Sequence, residues 1–325
     1  MKAIAVDGQT LVWRDAAEPV AGVGEILIRN RATAINRADL AQRAGAYPPP
    51  PGASSILGLE CAGDVVAVGD GVTRYKVGDK VCALLAGGGY AELVNVPAGQ
   101  ALRIPRGLDY AQAAALPEVF ATAYLNLFIE ARLAVGEHVL LHAGASGVGT
   151  AAIQLCKMNH SPCFVTVGSD DKIERCVALG AGGGANRKSG SFAPQVAGWT
   201  DGQGFDVILD PVGAGYLKDN LRALRSDGRL VIIGLMGGAV AELELGLMMM
   251  KRLRVIGSTL RARTIAAKSM VMDALEKVVW PKIESCEIRP IVDEIIPIQD
   301  AQRAHAVVAA DQTFGKVVLA IDTTG

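Results

Sequence analysis

The stretch that most restricts how this chain can fold is HVLLHAGASGVGTAAIQL, residues 138–155. A strand-like run, His138 to His142, enters Gly144-Ala145-Ser146-Gly147-Val148-Gly149, and a helix-like run leaves it. The spacing is G-x-G-x-x-G with Ser146 at the middle glycine position. Gly144 allows the strand to turn sharply. Small residues let the main chain approach a pyrophosphate, and Gly149 lets the helix pack close on the strand. The helix start then offers free N–H groups and a positive dipole end to phosphates. The motif alone is weak, and a tight turn without a ligand is the alternative. Its place between a strand and a helix, inside a long α/β alternation, gives it weight. No G-x-x-x-x-G-K-[ST] occurs, so a nucleotide triphosphatase is not suggested.

The alternation runs on both sides of that turn. After Pro117, apolar runs such as EHVLLHAG, CFVTVG, FDVILDPVG and GRLVIIG are separated by helical segments such as KIERCVALGA and YLKDNLRAL. AYLNLFIEARL also has helical spacing. Short apolar strands divided by helices predict a parallel sheet buried on both faces, the doubly wound arrangement. The first 117 residues read differently. EILIRNRATAI, GDVVAV, KVCALL and YAELVNV are short β-type runs broken by Gly, Pro and Asp, and RYKVGDKVCAL reads as a turn on Val77-Gly78-Asp79 leading into a strand. These predict a small antiparallel barrel or sandwich. A long helical stretch, Ile265 to Val279, follows the α/β part. EIRPIVDEIIPIQD, a helix through His305 and GKVVLAID then return to β-type composition and complete the first domain. At 325 residues two domains are expected. Their predicted extents are 1–117 with 263–325, and 118–262.

The strand CFVTVG bears on the choice of dinucleotide. An NAD enzyme usually places an acid at its end to hold the ribose 2′-OH. Here that end is Gly168-Ser169. Glycine leaves space, Ser169 can donate to a 2′-phosphate, and Lys172 and Arg187 add cationic charge suited to a dianion. Asp170 and Asp171 point the other way, or else serve the start of the next helix. NADPH is the expected cofactor. The loops LDPVGAG (209–215) and GLMGG (234–238) should lie at the carboxyl ends of the sheet, with backbone groups of Gly234, Leu235 and Met236 near the middle or nicotinamide end of the cofactor. Plain turn chemistry is the alternative for each.

Composition excludes several classes. The net charge is −1, from 32 basic and 33 acidic residues without a basic stripe, so nucleic acid is not an expected main partner. No apolar run reaches membrane-spanning length, and MKAIAVDGQTLVW lacks the apolar core of a signal peptide. Six scattered cysteines, none in C-x-x-C, fit a reducing compartment, the cytoplasm.

Three stretches, NRADLAQRAGAYPPPPGASSILGLECAG, AGASGVGTAAIQL and GLMGG, resemble the zinc-free quinone oxidoreductases of the medium-chain dehydrogenase/reductase superfamily, including zeta-crystallin. The likeness is nearest to the stress-inducible NADPH quinone oxidoreductase branch and runs from residue 2 to about 320. It implies an α/β fold with a GroES-like, partly open β-barrel catalytic domain at both chain ends and a Rossmann domain between them. It also implies homodimers that reduce quinones with NADPH by one or two electrons. The family's 2′-phosphate corner carries over to Ser169 and Lys172, while Arg187 stands where family members often have tyrosine. The same frame places Thr122 by the nicotinamide and Phe314 near the cofactor, with Lys316 either approaching the adenosine phosphates or a solvated tail lysine.

Zinc-dependent relatives use a Cys, a His before the acid of GHE, and a further Cys. In this chain those positions look like Asn36, Leu59 and the stretch LPEVFATAY, none with a suitable ligand set. No metal site is expected. Cys61 reads as a small packed side chain, and Glu60 as a buried carboxylate ordering its loop, in need of partners such as main-chain N–H groups. Metal-free reduction of a quinone needs the nicotinamide placed against the acceptor, water excluded, and a proton source. Tyr47, at the mouth of AYPPPPGASS, can stack on a flat acceptor and donate from its hydroxyl. Asn36 can hydrogen-bond a quinone carbonyl or cap a helix. The rival activity is NADPH-dependent reduction of activated C=C bonds in enoyl thioesters or alkenals. A structural or regulatory cofactor-binding protein, as lens crystallin relatives illustrate, is the third reading.

Overall fold

Strand Glu25–Ala34 alternates accessible and buried residues along most of its length, the period-2 pattern of a strand with one face on a core. It is the centre of a mixed sheet. Glu60–Val68, Leu93–Pro97 and Lys316–Ala320 each pair with it in antiparallel register. Lys80–Leu84 and Ala101–Arg103 extend the sheet on one side, and Val292–Pro297 lies parallel to Lys316–Ala320 at the other edge. The tail therefore completes the first domain, as its composition predicts. The expected turn before Lys80 is present, with Gly78 at φ 92°, the left-handed region glycine enters without strain.

The structure is a computed structural model and describes residues 1–321. Asp322, the end of the GKVVLAID stretch, lies outside the described residues. The chain divides into two compact units, Met1–Ala121 with Leu260–Gly325, and Thr122–Thr259. The sequence reading places the divisions after 117 and before 263.

The second unit holds six parallel strands in the spatial order Gly183–Asn186, Cys163–Val167, Val139–His142, Phe205–Asp210, Leu224–Ile232, Arg254–Gly257. In chain order that is 3-2-1-4-5-6, the doubly wound arrangement that binds dinucleotides where the order reverses. The central strands are buried throughout, as parallel strands covered on both faces must be. One segment departs from the expected ordinary helix. Pro117–Tyr124 is α-helical, but Leu125–Glu130 widens into a π-helix, with Ala131 N–H donating to Asn126 O five residues back.

Candidate active site

In the second unit, strand Val139–His142 turns at Ala143-Gly144 into helix Gly147–Met158. A Cβ on Gly144 would meet Val165 Cβ at 2.6 Å, and one on Gly149 would meet the carbonyls of Ala143 and Gly144 at 2.5 Å. Only glycine fits either place. Ser146 is the N-cap, and its Oγ accepts from Gly149 N–H at 3.0 Å. Ser146 O takes Thr150 N–H. The amides of Gly147 and Val148 have no protein acceptor among the described residues, so two N–H groups at a helix start are available to a phosphate. The cradle fits a dinucleotide.

Two more groups of expected cofactor residues lie at the same carboxyl ends. Gly168 and Ser169 follow strand Cys163–Val167, and Arg187 follows the neighbouring strand, its N–H on Val167 O at 2.9 Å. Ser169 is the N-cap position of helix Asp170–Leu179, whose first turn holds Asp170 and Asp171. The Ser169 hydroxyl bonds to Asp171 and, with help from Lys172, holds that carboxyl below its ordinary range. A 2′-phosphate would take over that hydroxyl. Lys172 is largely buried and Arg187 is exposed. The loops at 209–215 and 234–238 bond to each other. Met236 N–H reaches Pro211 O at 3.2 Å, Gly237 N–H reaches Val212 O at 2.7 Å, and Ala214 N–H reaches Gly238 O at 3.0 Å. Leu235 and Met236 are 57% and 53% exposed, accessible enough to meet a ligand.

Sequence reasoning did not foresee what supports these loops. Buried Asp210 accepts from Val212 N–H at 2.6 Å, from Gly213 N–H at 3.2 Å and from Asn220 Nδ2 at 3.0 Å. Asn220 Oδ1 is therefore an acceptor and takes His142 Nε2–H at 2.7 Å, which leaves His142 Nδ1 to accept from Thr166 Oγ1 at 2.9 Å. Burial pulls His142 down to about 4, so this neutral tautomer persists. No spacing in the sequence joins these residues; the sheet order does.

In the first unit, helix Arg37–Arg43 starts at Asn36, whose N–H donates to Asp39 Oδ2 at 2.8 Å. Asp39 Oδ1 accepts from Gly58 N–H at 2.9 Å, and burial pushes the carboxyl up to about 6. The Asn36 side chain turns away from the helix. Nδ2 donates to Glu60 Oε1 at 2.9 Å and to Ala34 O at 3.3 Å, while Oδ1 accepts from Lys316 Nζ at 2.7 Å. Both amide hydrogens are committed. Donation to a quinone carbonyl, expected of Asn36 from sequence, is thus corrected to a supporting role.

Glu60 is fully buried and fully satisfied. Oε1 faces Lys316 Nζ at 2.7 Å, and Oε2 accepts from Glu118 N–H at 2.9 Å. Buried carboxylates persist only with such partners, and the main-chain partner is of the kind the sequence reading required. Lys316 is 4% exposed and spends its three donors on Ile35 O, Asn36 Oδ1 and Glu60. The expectation that Lys316 reaches the adenosine phosphates is therefore wrong: it is the counter-ion of Glu60. Phe314 is buried at 4%, so its ring packs inside this unit. Leu59 and Cys61 are buried, and burial pushes the Cys61 thiol up. Among the described residues, no three His, Cys, Asp or Glu side chains are grouped to hold a metal ion.

Tyr47 is partly buried and clamped by Arg261. The guanidinium lies 5.3 Å from the ring centroid, and its Nη1 donates to Tyr47 O at 3.4 Å, Nε to Ala86 O at 2.8 Å and Nη2 to Gln42 Oε1 at 2.6 Å. The Tyr47 hydroxyl has no protein partner among the described residues. Burial, then nearby Glu118, pushes it above its usual value. Glu118 itself is pushed up to about 8, first by burial and then by Glu60. Arg261 and Glu118 were not foreseen; neither belongs to a motif with its own spacing. Thr122 is partly accessible, and its carbonyl takes Asn126 Nδ2 at 2.7 Å.

The sequence pattern of the zinc-binding dehydrogenases matches residues 147–277, and that of the alcohol dehydrogenase GroES-like domain matches residues 22–106. A quinone oxidoreductase of Pseudomonas aeruginosa is 34% identical, over 96% of this chain and 95% of that protein. The solved structure of an Escherichia coli quinone oxidoreductase complexed with NADPH aligns with a TM-score of 0.87 at 30% identity, covering 98% of each chain. A mycocerosic acid synthase-like polyketide synthase of Mycolicibacterium smegmatis is 30% identical over 94% of this chain, which spans 14% of that protein.

Proposed function

Because this chain belongs to the quinone oxidoreductase family of the medium-chain dehydrogenase/reductase superfamily, we propose that it is an NADPH-dependent quinone reductase that works without a metal. Bound NADPH supplies a hydride, which is two electrons and one proton. The amides of Gly147 and Val148 hold its pyrophosphate at the helix start, in a turn kept open by Gly144, Ser146 and Gly149. Ser169, Lys172 and Arg187 bind the 2′-phosphate beside Gly168. Main-chain groups of Gly234 to Met236 and the Thr122 side chain complete the cofactor contacts of the second unit.

The observation that carries the acceptor assignment is Tyr47: a flat, partly accessible ring with an unpartnered hydroxyl, locked by Arg261. The ring stacks on the quinone, and the hydroxyl, kept protonated by burial, hydrogen-bonds a quinone oxygen. Asn36, Glu60 and Lys316 fix the floor of that site. Replacing Tyr47 by Ala should raise KM for para-benzoquinone about 3- to 10-fold, the worth of one aromatic stacking contact, and leave NADPH affinity unchanged in a fluorescence titration. An unchanged quinone KM contradicts the assignment.

The chain is further proposed to act as a homodimer in the cytoplasm. Support for the dimer comes from the second unit, where strand Arg254–Gly257 is an open sheet edge and nearby Leu245, Met249 and Met250 are 69%, 74% and 75% exposed. Support for the compartment comes from six unpaired cysteines, five of them buried. No helix among the described residues is long and apolar enough to cross a membrane.

A further inference from the structure

Four buried side chains of the second unit, Thr166, His142, Asn220 and Asp210, form one hydrogen-bonded line, and each is at most 2% exposed. Three of them stand at the carboxyl ends of strands that feed the loops proposed to hold the cofactor. The line has a direction. Burial pushes the Asp210 carboxyl up to about 6, so at neutral pH it is ionised and can only accept. Asn220 must therefore turn Nδ2 to Asp210, at 3.0 Å, and Oδ1 to His142 Nε2–H, at 2.7 Å. His142 Nδ1 is left to accept from Thr166 Oγ1 at 2.9 Å. Every donor along the line points toward Asp210.

The same carboxylate takes the N–H groups of Val212 at 2.6 Å and Gly213 at 3.2 Å, which closes residues 211–213 into a turn at the strand end. That turn offers Pro211 O to Met236 N–H and Val212 O to Gly237 N–H. The two loops touch where no side chain fits. A Cβ on Gly213 would lie 2.9 Å from Gly238 O, one on Gly234 2.7 Å from Pro211 O, and one on Gly237 2.7 Å from Val212 Cγ1. With no slack between them, a shift of the 211–213 turn is passed on to Gly234, Leu235 and Met236.

We propose that Asp210 is a positioning residue for the hydride donor: through the 211–213 turn it fixes Gly234 to Met236, and so sets where the middle and nicotinamide end of NADPH lie. Asn220 and His142 hold the carboxylate in register. The proposal rests on the reading of Gly234 to Met236 as cofactor contacts. A carboxylate suits the task because three donors converge on it, and hydrogen bonds to an ionised acceptor are roughly twice as strong as neutral ones. Placement matters to the rate, since a reacting atom misplaced by about 1 Å costs roughly a hundredfold. A line that only stabilised the sheet would act on the whole cofactor site alike; one that positions the 234–236 segment acts on the nicotinamide side alone.

Asp210→Asn tests this. An amide nitrogen cannot accept, so at least one of the Val212, Gly213 and Asn220 donors loses its partner. In the cofactor-free variant, hydrogen exchange at the Ala214 and Gly237 amides should quicken about 10-fold or more, while strand Val139–His142 keeps its wild-type protection. NADPH, titrated by fluorescence, should bind about 10-fold more weakly. Adenosine 2′,5′-bisphosphate, which has the 2′-phosphate end and no nicotinamide, should bind as it does to the wild type. With para-benzoquinone, kcat should fall about 10²-fold at an unchanged KM for the quinone. Asn220→Ala takes one donor from Asp210 and leaves both loops intact. It should shift the same readings by less, and it carries the test if Asp210→Asn does not fold. Equal weakening of NADPH and the bisphosphate in a folded variant overturns the proposal. If exchange in the wild-type 234–238 loop is the same with and without NADPH, the underlying reading of that loop as a cofactor contact fails. If NADPH protects that loop and the folded variants bind NADPH as the wild type does, the proposal alone fails.

Discussion

Single residues carry the sharpest consequences. Lys316 and Glu60 form a buried pair whose remaining valences are filled by Asn36, Ile35 and the Glu118 amide. Removing either partner alone would strand a charge away from water. At the other site, the proposed specificity for NADPH rests on Lys172 and Arg187, two cations at the carboxyl ends of neighbouring strands. Replacing either by Ala should raise KM for NADPH about 10-fold, the worth of one charge-assisted hydrogen bond, and barely affect NADH. Equal effects on the two cofactors would contradict the 2′-phosphate assignment. Residue identities alone pointed to the glycine turn, Ser169 and Tyr47, because each has a local physical reason to be where it is. They misassigned Lys316 and Asn36. Those two side chains find their partners on strands 24 to 281 residues away in sequence, a closeness that only the folded sheet creates.

Elements were legible where their pattern is strong. The apolar runs EHVLLHAG, CFVTVG, FDVILDPVG and GRLVIIG become four of the six parallel strands, and the strand order dictates where the glycine loops converge. The tail returned to the first sheet, where Lys316–Ala320 pairs with Glu25–Ala34 and Val292–Pro297 pairs with Lys316–Ala320. Two features were not legible. The π-helical turn at Leu125–Glu130 has ordinary helical spacing, and its widening is visible only in the Ala131-to-Asn126 hydrogen bond. The hydrogen-bonded line Thr166–His142–Asn220–Asp210 crosses three strands and a helix, so no window along the chain contains it. Both partners of His142, Thr166 and Asn220, come from other elements.

At the scale of the whole molecule, the proposed enzyme has an NADPH-binding unit, a quinone-accepting unit and a second copy as partner. The dimer has its own test: sedimentation should find two copies for the wild type and one for Met249→Glu, since a charge there would sit on the proposed apolar contact. A wild type that sediments as a monomer contradicts it. The central claim is the pairing of NADPH with a quinone, and a panel of acceptors assayed with NADPH and with NADH tests it most directly. Fast oxidation of NADPH by ortho- and para-quinones, slow reaction with enones and slow turnover with NADH are predicted. Turnover of enones alone, or equal rates with the two cofactors, would contradict it.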